Sequence, residues 1–335
     1  VIARPPLAVS LGDPAGVGPE LLAQAWAQRA ELDLPPFFAV GGRSLLAEAG
    51  QLRGLDLRVE PITDHREAAE VFAHALPVLG LADCAYRPGS PGREGAQVAL
   101  QSLHEAARLA LSGAAGAIIT GPVAKAHLAR AGFLHPGQTE FVAQACGVAA
   151  SDAVMMLAGP SLRTVPLTVH VALAEVPGLV TVDLITRRAR IVAGALTRDF
   201  GIAAPRIAVA ALNPHAGEDG RMGREDIEVI APAIAVLRAE GIDATGPHPA
   251  DALFAARARA EYDVALCMYH DQALIPLKTL DFDAGVNVTL GLPIVRTSPD
   301  HGTAFSIAGK RIADAGAMIA AIRMARQCAD RRAAN

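Results

Sequence analysis

The sequence predicts an α/β protein built on a mostly parallel sheet. Short apolar runs rich in Val, Ile and Ala alternate with longer Ala/Leu-rich stretches of helical character through the 335 residues. Most apolar runs end in a turn of Gly, Pro, Asn or His. Strands that alternate with helices imply crossover connections, and these make neighbouring strands parallel. No internal repeat and no long linker interrupts the pattern.

In order, Leu7–Leu11 reads as the first strand and Gly12-Asp13-Pro14-Ala15-Gly16-Val17-Gly18 as its turn. A helix opens at Pro19-Glu20 and runs through Leu21, Leu22 and Trp26. Proline fits there because a first-turn N–H has no helical partner to lose. Phe37–Val40 with Gly41-Gly42 is a second strand and turn, and Ala96–Ser112 a helix. Ala117–Thr120 is a strand, Gly121-Pro122 its turn, and Val123–Arg130 the helix that follows. Val154–Leu157, Arg163–Val171 and Ile207–Leu212 read as strands. Glu225–Glu240 has an acidic start and Gly241 after its end, the signature of a capped helix. Val264–Tyr269 and Val286–Leu290 are further strands, Gly309–Arg326 is the last helix, and Ala329–Asn335 a polar, frayed tail.

Composition removes several classes of function. Hydrophobic residues make up 52% and charged residues 19%, which excludes a disordered chain. A net charge of -4 and 4% aromatics provide neither the basic field nor the stacking surfaces of a nucleic-acid binder. No apolar run approaches membrane-spanning length, and Val1-Ile2-Ala3-Arg4-Pro5-Pro6 has no apolar signal core. Cys84, Cys146, Cys267 and Cys328 are far apart and without a CxxC pair, so reduced thiols in a cytoplasmic protein are expected.

Ligands of parallel sheets sit beyond the carboxyl ends of strands, so the residues after each strand carry the interest. The loop Gly12–Glu20 is either an anion cradle or a tight strand–helix turn in which Asp13 serves the loop itself. It is neither a dinucleotide fingerprint nor a Walker loop. His170, His215 and His270 lie at or near predicted strand ends, where adjacent parallel strands bring side chains together. Each of them alone reads as a hydrogen-bonded structural group; the three together would hold a divalent ion and leave positions open for substrate. Asp271 directly follows His270 and is placed to orient it. Asp251 is either an acid–base group or a helix N-cap. Lys278 and Arg296 are cations in apolar surroundings, with Asn287 between them in sequence. Either an anionic ligand or an internal carboxylate would offset their burial.

Taken together, these segments are more specific than any one alone. Gly12–Glu20, Gly121-Pro122-Val123-Ala124-Lys125, Gly137-Gln138-Thr139-Glu140-Phe141 and Asn213-Pro214-His215-Ala216-Gly217-Glu218 carry a resemblance over nearly the whole length. So do Pro249-Ala250-Asp251, Met268-Tyr269-His270-Asp271-Gln272, Gly285–Pro293, Arg296-Thr297-Ser298 and Asp300-His301-Gly302-Thr303-Ala304. The chain resembles the 4-hydroxythreonine-4-phosphate dehydrogenase family of pyridoxal phosphate biosynthesis.

The resemblance implies an α/β/α fold of two subdomains, related to isocitrate and isopropylmalate dehydrogenases. The expected division is 1–130 with 275–330, against 131–274 with dimer contacts, and an active site in the cleft between them. It implies a homodimer with a shared active site, NAD or NADP as cofactor, and one divalent ion, zinc, magnesium or cobalt. The metal ligands fall on His170, His215 and His270, drawn from both subunits. Substrate contacts fall on Gln138, Thr139, Lys278, Asn287 and Arg296, and proton transfer on Asp251 and Lys278. The implied reaction oxidises 4-phosphohydroxy-L-threonine to 2-amino-3-oxo-4-phosphooxybutanoate, which decarboxylates to 3-amino-2-oxopropyl phosphate.

Gln138 departs from the family, which usually has His before that Thr. Glutamine hydrogen-bonds a phosphate or hydroxyl but carries no charge, and His135 is the nearby candidate for a replacement imidazole. The departure keeps open a related dehydrogenase acting on another phosphorylated hydroxy acid or a carboxylated cyclic diol. A metal-dependent hydrolase would turn over without NAD, and a non-catalytic nucleotide-binding protein would bind without turnover.

Overall fold

The computed structural model describes residues 4–334; Val1–Ala3 of the N-terminal stretch and Asn335 of the tail lie outside them. Twelve strands run in chain order: β1 Leu7–Ser10, β2 Phe37–Val40, β3 Val59–Ile62, β4 Leu76–Leu79, β5 Ile118–Thr120, β6 Val154–Ala158, β7 Arg163–Pro166, β8 Arg206–Ala210, β9 Asp243–His248, β10 Val264–Cys267, β11 Val286–Leu290 and β12 Arg296–Pro299.

The chain divides into two compact units. The first comprises residues up to Ala153 together with Leu292–Ala333, and the second Val154–Gly291. These limits differ from 1–130 with 275–330 against 131–274. Residues 131–153 belong to the first unit because Phe133, Phe141, Val142, Ala143 and Ala153 are buried in its core beside Leu103 and Ile118. Residues 275–291 belong to the second because β11 pairs antiparallel with all five residues of β6.

The first unit has strand order β3-β4-β2-β1-β5-β12, every pair parallel. β1 and β2 are buried at every position. That is the pattern of a parallel sheet covered by helices on both faces. The helices Gly18–Ala27 and Arg93–Leu111 cover it, and Trp26 Nε1 donates to the Phe72 carbonyl at 3.2 Å.

The second unit has strand order β11-β6-β7-β10-β8-β9. β7, β10, β8 and β9 are parallel, while β6 runs against both its neighbours. The longest helix of this unit, Val182–Phe200, starts with the Thr181 hydroxyl accepting from Leu184 N–H and ends at Gly201 in a left-handed conformation. Leu157, Ala208, Ala265, Cys267 and Leu277 lie in its core.

Several predicted bounds move for visible reasons. The strand expected over Arg163–Val171 stops at Pro166. The helix expected over Glu225–Glu240 is a π-turn, Asp226–Ile230, followed by the α-helix Ala231–Ala239. Pro232 has no N–H to donate to the carbonyl four residues back. The last helix spans Gly316–Ala334, not Gly309–Arg326, and so takes in most of the expected tail. Gly309 is instead held by the Glu20 carboxylate, and the Asp314 side chain accepts from Gly316 N–H at 2.7 Å. All four cysteines are free. Among the described residues no helix is long and apolar enough to cross a membrane.

Candidate active site

The glycine loop resolves in favour of the tight turn. Asp13 N–H donates to the Pro122 carbonyl at 2.8 Å, Gly16 N–H to the Asp13 carbonyl, and Val17 N–H to the Thr303 carbonyl at 3.0 Å. The Asp13 carboxylate accepts from Ala15 N–H at 3.1 Å, and its burial raises its pKa. These loop amides are occupied by the protein itself and do not form an anion cradle. Glycine is required at position 12. With φ at +71°, a Cβ there would lie 2.5 Å from the Pro122 oxygen.

The first unit builds its polar site around Arg296, the first residue of β12 and only 4% exposed. Its Nε and Nη2 donate to the buried Thr120 hydroxyl, the last group of β5, at 3.2 and 2.8 Å. Its Nη1 donates to Thr139 Oγ1 and its Nη2 to Gln138 Oε1, both at 3.3 Å. Gln138 Nε2 in turn donates to the Gly121 carbonyl at 3.0 Å. Burial lowers the Arg296 pKa to about 10, while Glu140 acts in the opposite sense. The guanidinium is therefore charged at neutral pH.

Gln138 and Thr139 open the helix Gln138–Ala145, whose N-cap is Gly137. A helix N-terminus beside a buried guanidinium favours an anion. The contacts at 3.3 Å are at the long end for hydrogen bonds, and an anionic oxygen would replace them readily. Thr120 was not singled out in the sequence; its only signal there was its place at a strand end before Gly121-Pro122. His135 packs its ring against Phe133 and Phe141, at 5.1 and 5.4 Å between centroids.

The second unit carries the histidines. β7, β10 and β8 are adjacent and parallel, and His170, His270 and His215 follow their carboxyl ends in that order. His170 is not within a strand: it lies beyond β7 at φ +56°. His270 does not end a strand either but opens the helix His270–Asp281. The rings of His170 and His270 approach to 5.8 Å between centroids. Metal–nitrogen bonds of about 2.0–2.1 Å place two imidazoles on one ion with centroids roughly 5–6 Å apart, so this pair fits a shared ion.

Asp271 Oδ1 lies 2.7 Å from His270 Nδ1. That contact occupies one ring nitrogen and leaves Nε2 as the ligating atom. A cavity of about 330 Å³ is lined by Thr168, His170, Val171, Leu173, Val176, Tyr269, His270 and Asp271.

His215 stands apart from this pair. It is exposed and sits in a turn where His215, Ala216, Gly217, Glu218, Asp219 and Gly220 all have positive φ. Each non-glycine residue there costs about 1–2 kcal/mol, and such strain is typical of functional sites. Among the described residues no three His, Cys, Asp or Glu side chains of one chain form a metal cage.

Asn287, on β11, has a buried Oδ1 without a hydrogen-bond partner. Such an acceptor suits a ligand hydroxyl or ammonium. Lys278 lies on the helix that His270 opens, two turns along, and lines a groove with Asp271, Leu274, Ile275 and Thr279. Asp251 is exposed in the short helix Ala250–Leu253. It is not the N-cap, since Pro249 holds that position.

The first unit sets a buried guanidinium beside a helix N-terminus and the second an oriented imidazole pair, each next to strand ends; these are features of enzymes that act on small anionic substrates. The family follows from comparison with known proteins. The chain belongs to the family of the pyridoxal phosphate biosynthetic protein PdxA, whose pattern matches residues 33–325. A 4-hydroxythreonine-4-phosphate dehydrogenase of Erythrobacter litoralis is 61% identical over 328 residues, 98% of each chain. The crystal structure of 4-hydroxythreonine-4-phosphate dehydrogenase from Klebsiella pneumoniae superposes with a TM-score of 0.86 at 36% identity, covering 97% of this chain and 98% of that one. A terephthalate 1,2-cis-dihydrodioldehydrogenase from Burkholderia xenovorans superposes at 0.64 with 30% identity, covering 96% and 97%.

Proposed function

We propose that this chain oxidises 4-phosphohydroxy-L-threonine to 2-amino-3-oxo-4-phosphooxybutanoate with NAD or NADP, the product then losing CO2 to give 3-amino-2-oxopropyl phosphate. The observation that carries the reading is the His170–His270 pair, oriented by Asp271, in a chain 61% identical to a dehydrogenase of that name.

The phosphate falls to Arg296, Thr139 and Gln138, with the first amides of the helix Gln138–Ala145. Asn287 Oδ1 accepts from the substrate's hydroxyl or ammonium group. His170, His215 and His270 would hold one zinc, magnesium or cobalt ion, and the partner subunit of a homodimer would complete the set, since among the described residues no three such side chains meet within one chain. When bound, the ion supplies Lewis acidity at the substrate oxygen and the nicotinamide supplies the hydride acceptor. Asp251 takes the proton of the substrate hydroxyl on its carboxylate. The Lys278 ammonium stabilises the enolate oxygen left by loss of CO2 and donates a proton to the carbon that carried the carboxylate, regaining its own proton from solvent.

The test is absorbance at the NADH band with NAD and 4-phosphohydroxy-L-threonine, with and without a chelator. NADH formation that the chelator abolishes and a divalent ion restores is the expected result. A metal-loaded enzyme that forms no NADH refutes the reading. The uncharged Gln138 and the dihydrodiol dehydrogenase likeness favour a second reading, a carboxylated cyclic diol as substrate. Turnover of such a diol without any phosphate group would establish it.

A further inference from the structure

We propose that Asp226 is the positioning residue for His215, fixing the left-handed turn that presents this imidazole to the metal. The inference rests on the reading of His215 as a ligand given above. Asp226 is 1% exposed and lies in the π-turn Asp226–Ile230, away from the imidazole it serves in sequence. Both its oxygens are committed to the chain leaving β8. Oδ1 accepts from Leu212 N–H at 2.9 Å, and Oδ2 from Asn213 N–H at 3.2 Å and from Asn213 Nδ2 at 3.0 Å. Glu225 Oε2 accepts from the same Nδ2 at 2.8 Å.

A carboxylate that is acceptor-only on both oxygens is what three converging N–H donors require. Position 223 shows how closely the two segments meet. A Cβ on Gly223, at φ +114°, would lie 2.6 Å from Asn213 Nδ2. Residues 215–220 all have positive φ, a run that L-residues do not sustain unaided. The fixed point from which the run departs is Asn213, and Asp226 holds it through both backbone and side chain. The π-turn carries the geometry one step further. An inserted residue re-aims the side chains at a helix start, and such turns recur at functional sites.

The test uses the full-length protein stripped of metal and titrated with Co2+, followed by calorimetry and by the visible absorption of the bound ion. Asp226→Asn keeps the size of the side chain but turns an N–H2 toward donors. The expected result is Co2+ binding 10- to 100-fold weaker with displaced absorption bands, while far-UV circular dichroism matches the parent. Binding within twofold of the parent with unchanged bands overturns the proposal. Asn213→Ala is the milder companion in case Asp226→Asn does not fold. It leaves the backbone bonds of Asp226 in place, so a several-fold loss is expected and no loss counts against the idea. His215→Ala is the reference. If it leaves affinity and spectrum unchanged, His215 is not a ligand, and the proposal falls with that reading. If His215→Ala weakens binding and Asp226→Asn does not, only the positioning role fails.

Discussion

Replacing Thr120 by Val removes one oxygen and nothing else of consequence in volume. That oxygen accepts from both Nε and Nη2 of Arg296, at 3.2 and 2.8 Å, in a region closed to solvent. The variant leaves two donors of a buried cation without this acceptor. A hydrogen bond to a charged group is worth about 1.5–3 kcal/mol. The shorter bond dominates, so a loss in this range, not twice it, is expected. At about 1.4 kcal/mol per factor of ten, kcat/KM falls roughly 10- to 150-fold. With Arg296 holding the phosphate as proposed, the loss should appear mainly in KM for the phosphorylated substrate, because the guanidinium would turn away from the phosphate while the hydride step is untouched. Thr120→Ser restores the oxygen and should recover most of the efficiency. The assay is NADH formation against substrate concentration, with urea unfolding as a control. A folded Thr120→Val enzyme with KM and kcat both within twofold of the parent would refute the reasoning.

Three further outcomes are expected. Gly12→Ala puts a methyl 2.5 Å from the Pro122 oxygen at φ +71°, and should lower the unfolding free energy by about 3 kcal/mol or more, read from the urea midpoint. Asp271→Asn weakens the hold on His270 Nδ1, and zinc retained after dialysis against a chelator should correspond to roughly tenfold weaker binding; full retention would remove the orienting role. Burial lowers the pKa of His248, so below pH 6.5 the unfolded chain binds more protons than the folded one and stability falls as the pH is lowered. His248→Asn should flatten the dependence of melting temperature on pH between the ordinary histidine value and its lowered folded value. An unchanged slope would show that His248 does not contribute.

What the sequence made legible followed apolar runs. β2 and β11 fall where their Val, Phe and Leu content places them, and the histidines follow three adjacent strands because parallel topology orders strand ends. β12 was not legible, since Arg296-Thr297-Ser298-Pro299 has the composition of a loop and is buried through its partners. The helix Val182–Phe200 carries its signals in the sequence: Thr181 before it, Gly201 after it, and an apolar stripe through Ile185, Ala189, Val192 and Leu196. Thr168 and Val169 have strand-forming side chains, so their sequence points to a strand that includes His170. The chain there instead leaves the sheet after Pro166 and turns left-handed. Two histidines of the three meet within a chain, and that distinction depends on backbone conformation, to which spacing is blind. Thr120 was invisible for a similar reason, because its importance lies in a guanidinium 176 residues away.

One buried side chain spans the ends of two strands. Gln272 Oε1 accepts from Met268 N–H at 2.7 Å, and its Nε2 donates to the Ala211 carbonyl at 2.8 Å. Met268 is two residues before His270, and Ala211 is four before His215. The amide thus acts as a strut of fixed length between the two histidine-bearing chain segments, and only a group with a donor at one end and an acceptor at the other can serve. Leucine of similar size would leave both strand ends unlatched, and glutamate would present repulsion to the carbonyl. Thermal motion that separates these segments must break the strut first. The Met268 amide should therefore exchange with solvent as slowly as those in the middle of β10, although it lies beyond the end of that strand.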